Sequence, residues 1–307
     1  MDWKKILVIL LALFIIILFF TYWYLPNNAE DLEMEIKSFA SLANSTFSEE
    51  NATQFYPNMR FAYKNISYKI DEGCSLNKKE DMVWAFGIIS QETILNFYSS
   101  NNGEIKVKCD DRAKSEEPGL FIAGEGGPVN VSIGEYFSVI EGGRILLIKE
   151  SNCQRPNVAI HELLHVLGFD HTNNPNDILY PINKCEQTIS KNLVLKINEL
   201  YSYPSFPDLE IQQVNASISG RFLNFNISVK NEGLIDSEKF YLDVYADDKK
   251  VEEFELEQLK IGYGENLKVQ NVFVGKLNFN KIKLIIRTDF EELNKENNEV
   301  VLEIKDN

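Results

Sequence analysis

Hydrophobic and polar positions change rhythm along the chain, and each rhythm predicts a different element. From Ile6 to Leu25 there is no charged residue, and the run is rich in Leu, Ile and Phe. About 20 helical residues span roughly 30 Å, the hydrocarbon thickness of a bilayer. Tyr22, Trp23 and Tyr24 close the run where interfacial aromatics belong. Residues 26–58 are polar with scattered hydrophobics and read as a stalk. Ile66–Ile70 then alternates like a half-buried strand. Asn77 with Glu80 resembles a capping box, and Met82, Val83, Phe86 and Ile89 follow at helical spacing. Ile105–Val107 reads as the next strand, so strand, helix and strand form a parallel crossover. Val129–Ile133 and Arg144–Ile148 are further strands, and Gly124–Pro128 between periodic segments reads as a loop. Helices are expected over 157–167 and 189–201, the second with Leu193, Ile197 and Leu200 on one face.

Pro204 and Pro207 mark a boundary, because proline interrupts both helix and ladder. Period-2 alternation takes over at 209–214, 221–229, 240–245, 251–254, 267–274, 281–286 and 300–304. Seven short strands at this spacing predict an antiparallel immunoglobulin-like sandwich. The pattern divides the chain into an anchor, 1–25, a stalk, 26–58, a mixed α+β domain, 59–203, and an all-β sandwich, 204–307.

Charge and cysteine content narrow the setting. The net charge is −15 over 307 residues. Phosphate neutralisation needs a basic face, so nucleic acid is excluded as the expected partner. Lys4 and Lys5 place the N-terminus inside, which puts everything after Pro26 outside the membrane. A cleaved signal peptide is the competing reading; the long apolar run and the lack of a small-x-small site favour an uncleaved single-pass anchor in the cell membrane. Cys74, Cys109, Cys153 and Cys185 lie on the outside and predict two disulfides. Of the three pairings possible, Cys74–Cys109 is favoured because adjacent parallel strands end near both, and Cys153–Cys185 would brace the segment between them. The six Asn-x-Ser/Thr triplets, at Asn44, Asn51, Asn65, Asn130, Asn215 and Asn226, are compatible with that side.

The candidate chemistry is concentrated in eleven residues, His161-Glu-Leu-Leu-His-Val-Leu-Gly-Phe-Asp-His171. On a helix His161 and His165 share a face and can offer two imidazoles to one ion. Glu162 follows the first ligand and can reach a water at that ion. Gly168 accepts the left-handed conformation that ends the helix and brings His171 round as a third ligand. Three imidazoles leave a fourth tetrahedral position open, as in a catalytic rather than a structural zinc site. A helix that merely carries two histidines is the bland reading. The chain has 3 histidines, and all lie in this segment, which decides against coincidence. A carboxylate such as Glu199 as third ligand is the weaker alternative to His171.

This segment resembles the HExxHxxGxxH signature of the metzincin peptidases, and with Asp177-Ile-Leu-Tyr-Pro181 it looks most like the matrixins. The resemblance implies a zinc endopeptidase with one catalytic Zn2+ on His161, His165 and His171 and Glu162 as general base. It leaves a structural Ca2+ open. In the family a methionine turn lies beneath the metal; here Leu179 stands at that position, close to methionine in volume. Tyr180 comes one residue too early to act as the extra tyrosine ligand some metzincins use, so packing is its expected role. The implied substrate is an extended peptide on an edge strand, either Val129–Ile133 or Arg144–Ile148. The C-terminal part resembles adhesion-related immunoglobulin-like domains of prokaryotic surface proteins, through Asp208-Leu-Glu-Ile211, Val229-Lys-Asn-Glu-Gly233, and Asp289 with Asn294–Glu299. That resemblance implies a spacer or a surface for a partner. A surface scaffold with a retired peptidase module is the alternative function. Leu179 speaks for it and the intact Glu162 against it.

Overall fold

The computed structural model describes residues 3–24, 34–36, 53–110, 114–117, 120–150, 153–275 and 280–304. Helix α1 (Trp3–Tyr24) is long and apolar enough to cross a membrane, with a mean hydropathy of 2.6 over Trp3–Thr21. Of the stalk expected over 26–58, only β1 (Met34–Ile36) and residues 53–58 fall among the described residues.

The α+β domain is a mixed sheet with two helices on one face. Its strands are β2 (Met59–Phe61), β3 (Asn65–Ile70), β4 (Asn96–Ser99), β5 (Ile105–Cys109), β8 (Gly124–Ile133) and β9 (Ser138–Leu147). A separate small ribbon joins β6 (Lys114–Glu117) to β7 (Leu120–Ile122). In the main sheet the order β2-β9-β5-β3-β4 is parallel throughout, and β8 runs antiparallel along β9. Helix α2 (Leu76–Glu92) makes the crossover from β3 and returns first to β4, a strand absent from the expected set. The capping residue of α2 is Ser75, whose Oγ accepts from Lys78 N; Asn77 instead bonds Glu150. Its packed face is Met82, Ala85, Phe86 and Ile89, while Val83, expected on that face, is exposed. Tyr68 stacks on Phe86, which fixes the helix to the sheet through β3.

Two corrections concern strands. Gly124–Pro128, expected as a loop, is the first half of β8. Glycines are weak strand formers in isolation, but pairing with β9 and the need to lie close to a helix override that preference. Arg144–Ile148, one of two candidate edge strands, falls up to Leu147 within β9, inside the sheet between β5 and β8. The edge belongs to β8.

Helices α3 (Asn157–Val166) and α4 (Lys191–Leu200) complete this domain. Every residue of α3 is buried. Arg60, also buried, ties the end of α4 to β2: its guanidinium donates to the carbonyls of Leu200 at 2.5 Å, Ala62 at 2.9 Å and Tyr203 at 3.1 Å.

All seven expected C-terminal strands are present. Strands β10 (Leu209–Ser219), β11 (Phe222–Asn231) and β14 (Gly264–Phe273) form one sheet. The other contains β12 (Phe240–Ala246), β13 (Lys249–Leu256), β15 (Lys281–Arg287) and β16 (Glu299–Ile304), with β1 added at its edge. Alternating inward residues such as Ile211, Phe225, Leu242 and Leu284 fill the space between the sheets. The domains meet at the β8–β9 turn. Phe137 and Val139 pack with Leu234, and Glu232 Oε2 accepts from Glu135 N at 2.5 Å.

Candidate metal centre

Helix α3 puts His161 and His165 one turn apart on the face towards the chain that follows. The helix ends where Gly168 takes φ of +95° and donates to His165 O. A Cβ there would also lie 2.7 Å from Met59 Cγ, so both backbone and space demand glycine. The reversed chain is held by residues before β2: Phe55 N donates to Gly168 O, Asp170 N to Thr53 O, and Thr53 Oγ1 to His171 O. His171 arrives with its ring beside the other two.

The three Nε2 atoms converge, at 2.9 Å between His161 and His165, 3.1 Å between His165 and His171, and 3.3 Å between His161 and His171. The opposite nitrogens explain why. His161 Nδ1 lies 2.6 Å from Ile178 O, and His165 Nδ1 lies 2.7 Å from Phe169 O. A carbonyl oxygen only accepts, so both Nδ1 atoms carry the proton and both Nε2 atoms present lone pairs. Burial lowers His161 to about 4 and lowers His165 as well, which keeps both rings in the neutral, ligating form. Lone pairs facing each other at these distances repel unless a cation lies among them. Zinc–nitrogen bonds of about 2.0–2.1 Å at tetrahedral angles put ligand nitrogens roughly 3.3 Å apart, so this donor set fits zinc. The cluster contains no carboxylate among the described residues. Glu199, the alternative ligand, is instead paired with Lys196 on the surface of α4.

Glu162 is 7% exposed and lies under β8. A Cβ on Gly124 would stand 2.8 Å from Glu162 Cγ, and one on Gly126 would stand 2.2 Å from Glu162 O. Only a strand with glycine at these two places can approach so closely. Burial, reinforced by the charge of Glu125 and opposed by the Gly126 amide, raises the Glu162 carboxyl to about 8.

Leu179 is buried, and its amide donates to Asp177 Oδ1. The turn it occupies supplies the Ile178 carbonyl that orients His161, so the turn acts on the site through its backbone. Tyr180 is half-buried and donates its amide to Asp177 O. Cys74 is bonded to Cys109 and Cys153 to Cys185. Asn157, the first residue of α3, adds side-chain bonds to the carbonyls of Lys184 at 2.7 Å and Cys185 at 3.3 Å. The metal helix and the segment after the Leu179 turn are thus joined covalently and by hydrogen bonds.

Sequence reasoning missed Gly124, Gly126 and the carbonyls of Ile178 and Phe169. The Gly124-x-Gly126-Gly127 run was the available signal for the first pair; backbone carbonyls leave no trace in residue type.

Comparison with known families assigns the domain. Residues 53–202 match the Astacin family (Peptidase family M12A). This is a family of metzincin-type zinc peptidases, and the match supports a zinc metalloprotease domain over those residues. Residues 206–301 match the CARDB family, a cell-surface domain. No curated protein matches the chain. Similar solved structures each share 18% identity. One is the CARDB domain of a Pyrococcus furiosus protein in complex with di-metal ions, covering 32% of this chain and 88% of that one at a TM-score of 0.27. A domain described as part of a Methanosarcina acetivorans cell surface protein covers 32% and 91% at 0.26. High choriolytic enzyme 1, a hatching enzyme zinc-protease from the medaka Oryzias latipes, covers 39% of this chain and 55% of its own at 0.27. The apolar α1 before the astacin-like domain is a membrane anchor or a signal sequence.

Proposed function

We propose that this chain is a zinc endopeptidase anchored in the cell membrane by α1, with its N-terminus inside and its astacin-like domain acting on extracytoplasmic proteins. The observation that carries the reading is the convergence of three Nε2 atoms within 3.3 Å of one another, with Glu162 adjacent in sequence. In this reading His161, His165 and His171 hold the metal. When bound, zinc supplies Lewis acidity towards the scissile carbonyl and the attacking water.

The remaining steps belong to the chain itself. Among the described residues strand β8 pairs with β9 on one side only, so its other edge offers amides and carbonyls to an extended peptide. Bound there, the substrate backbone lies over Glu162, because Gly124 and Gly126 bring the strand onto it. Burial alone favours the neutral acid, and the charge of a metal on the histidines would restore the Glu162 carboxylate, which then accepts the proton of the attacking water and donates it to the leaving amine. The near-complete burial of Glu162 keeps bulk water from competing for that proton. The intact Glu162, next to His161 in sequence and buried beneath β8, supports an active rather than a retired site.

The test is metal analysis and peptide cleavage on the purified chain. Glu162→Ala should retain one zinc and lose turnover by at least about 100-fold. Full activity in that variant refutes the assigned role. His171→Ala should lose zinc.

A further inference from the structure

The face of the main sheet turned away from α2 and α3 carries charge that the fold does not explain. Lys69 of β3 is directly opposite Lys106 of β5, and Lys106 is directly opposite Arg144 of β9. Neighbouring strands lie about 4.8 Å apart, so three cations stand in a row over roughly 10 Å. Like charges directly opposite one another destabilise a sheet. All three are exposed, as is Lys108 two residues further along β5, and none forms an ion pair or hydrogen bond among the described residues.

Three carboxylates border the same groove, and their hydrogen bonds go to neutral donors rather than to the row. Glu104 accepts from the amide and hydroxyl of Ser67, Glu141 accepts from Ser132, and Asp71 accepts from Gly73 N. In a chain with 46 acidic and 31 basic residues, an unpaired basic row is unexpected.

The row lines a groove of about 780 Å3. The groove reaches Val129 and Asn130 of β8, and Arg144 also borders an adjoining recess against Gly126 and Pro128. It therefore runs to the strand whose other end covers Glu162. A polypeptide lying on β8 can continue into this groove without leaving the surface. Its concave shape and its continuity with β8 favour a peptide over a membrane surface.

We infer that Lys69, Lys106 and Arg144 form an exosite for an acidic segment of the protein substrate, held while the scissile bond lies at the histidines. The inference rests on the peptidase reading above.

The experiment compares quenched peptides of one cleavage sequence, with and without an oligoglutamate tail at either end, using the full chain in detergent. One of the tailed peptides should show a KM about tenfold lower than the untailed peptide, with kcat unchanged, and NaCl should erase the gain. The triple variant Lys69→Ser, Lys106→Ser and Arg144→Ser should abolish the gain and leave cleavage of the untailed peptide as it was. Its Tm should equal or exceed that of the native chain, because repulsion is relieved. A tail without effect on KM, or a gain that survives in the triple variant, overturns the inference.

Anisotropy of a fluorescent oligoglutamate peptide separates this inference from the peptidase reading, since binding needs no turnover. Binding that the triple variant loses supports the exosite even if the untailed peptide is never cut, and absence of binding overturns it. Co-sedimentation with phosphatidylglycerol vesicles that depends on the three cations, without any tail effect, assigns the row to the membrane and overturns the peptide.

Discussion

A methyl group on Gly126 would meet the Glu162 carbonyl oxygen at 2.2 Å, well inside van der Waals contact. That carbonyl is part of the metal helix and cannot yield without moving His161 or His165, so β8 must shift instead. Gly126→Ala should retain zinc while kcat/KM falls about 100-fold, the usual cost of an ångström of misplacement. Normal cleavage by Gly126→Ala would mean that the strand does not position substrate over Glu162. The meeting of the three imidazoles was legible at this scale, because all 3 histidines lie in one segment with helical spacing and a glycine turn. What orients them was not. Ile178 and Phe169 act through main-chain oxygens, and no side-chain pattern encodes which carbonyl will face an imidazole.

Between elements, the assembly of the site depends on a few ties across distant segments. The Cys153–Cys185 bridge closes a 32-residue separation around the metal helix and the Leu179 turn. Replacing both cysteines with alanine should destabilise the astacin-like domain by about 2–4 kcal/mol in urea unfolding. An unchanged midpoint would show that Asn157 and the core suffice. Arg60 is a second tie. Arg60→Met removes the donors from four carbonyls, those of Phe61 and Ala62 at β2 and of Leu200 and Tyr203 at the end of α4, and the domain should lose about 3 kcal/mol by the same measurement. The sequence displayed α3, α4 and both bridges through periodicity and cysteine placement. It misled at Gly124–Pro128, where glycine suggested a turn. There the glycines serve close approach between strand and helix, a tertiary demand that local propensity does not carry.

For the whole molecule, the two domains differ in how they carry charge. Burial lifts Asp208 to about 7, with Glu292 and Glu210 adding to the rise against a hydrogen bond from Asn297. Burial, then the charges of Glu135 and Glu232, lift Glu210 to about 7, and burial also raises Glu292. Each folded-state value lies above the unfolded one, so the folded sandwich binds protons that the unfolded chain releases. The resulting stability is complete below the unfolded values near 4 and is lost as pH rises through about 7. The C-terminal transition should therefore melt several degrees higher at about pH 5 than at about pH 8, and Asp208→Asn should flatten that slope. Stability that rises with pH across this interval would contradict the assignment. The sandwich was legible from alternation alone, since seven strands repeat one simple pattern. The cationic row on the other domain was not, because it exists only once parallel register sets Lys69, Lys106 and Arg144 side by side.

Thr53, Gln54 and Phe55 run beside residues 168–171, with Gln54 bridged to Phe169 and Thr53 bonded to Asp170 and His171. Beyond β1, which pairs with β16 of the sandwich, the polypeptide thus meets the astacin-like domain at the third histidine before it enters any strand of the main sheet. For the anchored peptidase proposed above, proteolytic release should spare catalysis only when the cut falls upstream of Thr53. A cut a few residues later frees a particle with its sheet intact and its last imidazole unmoored.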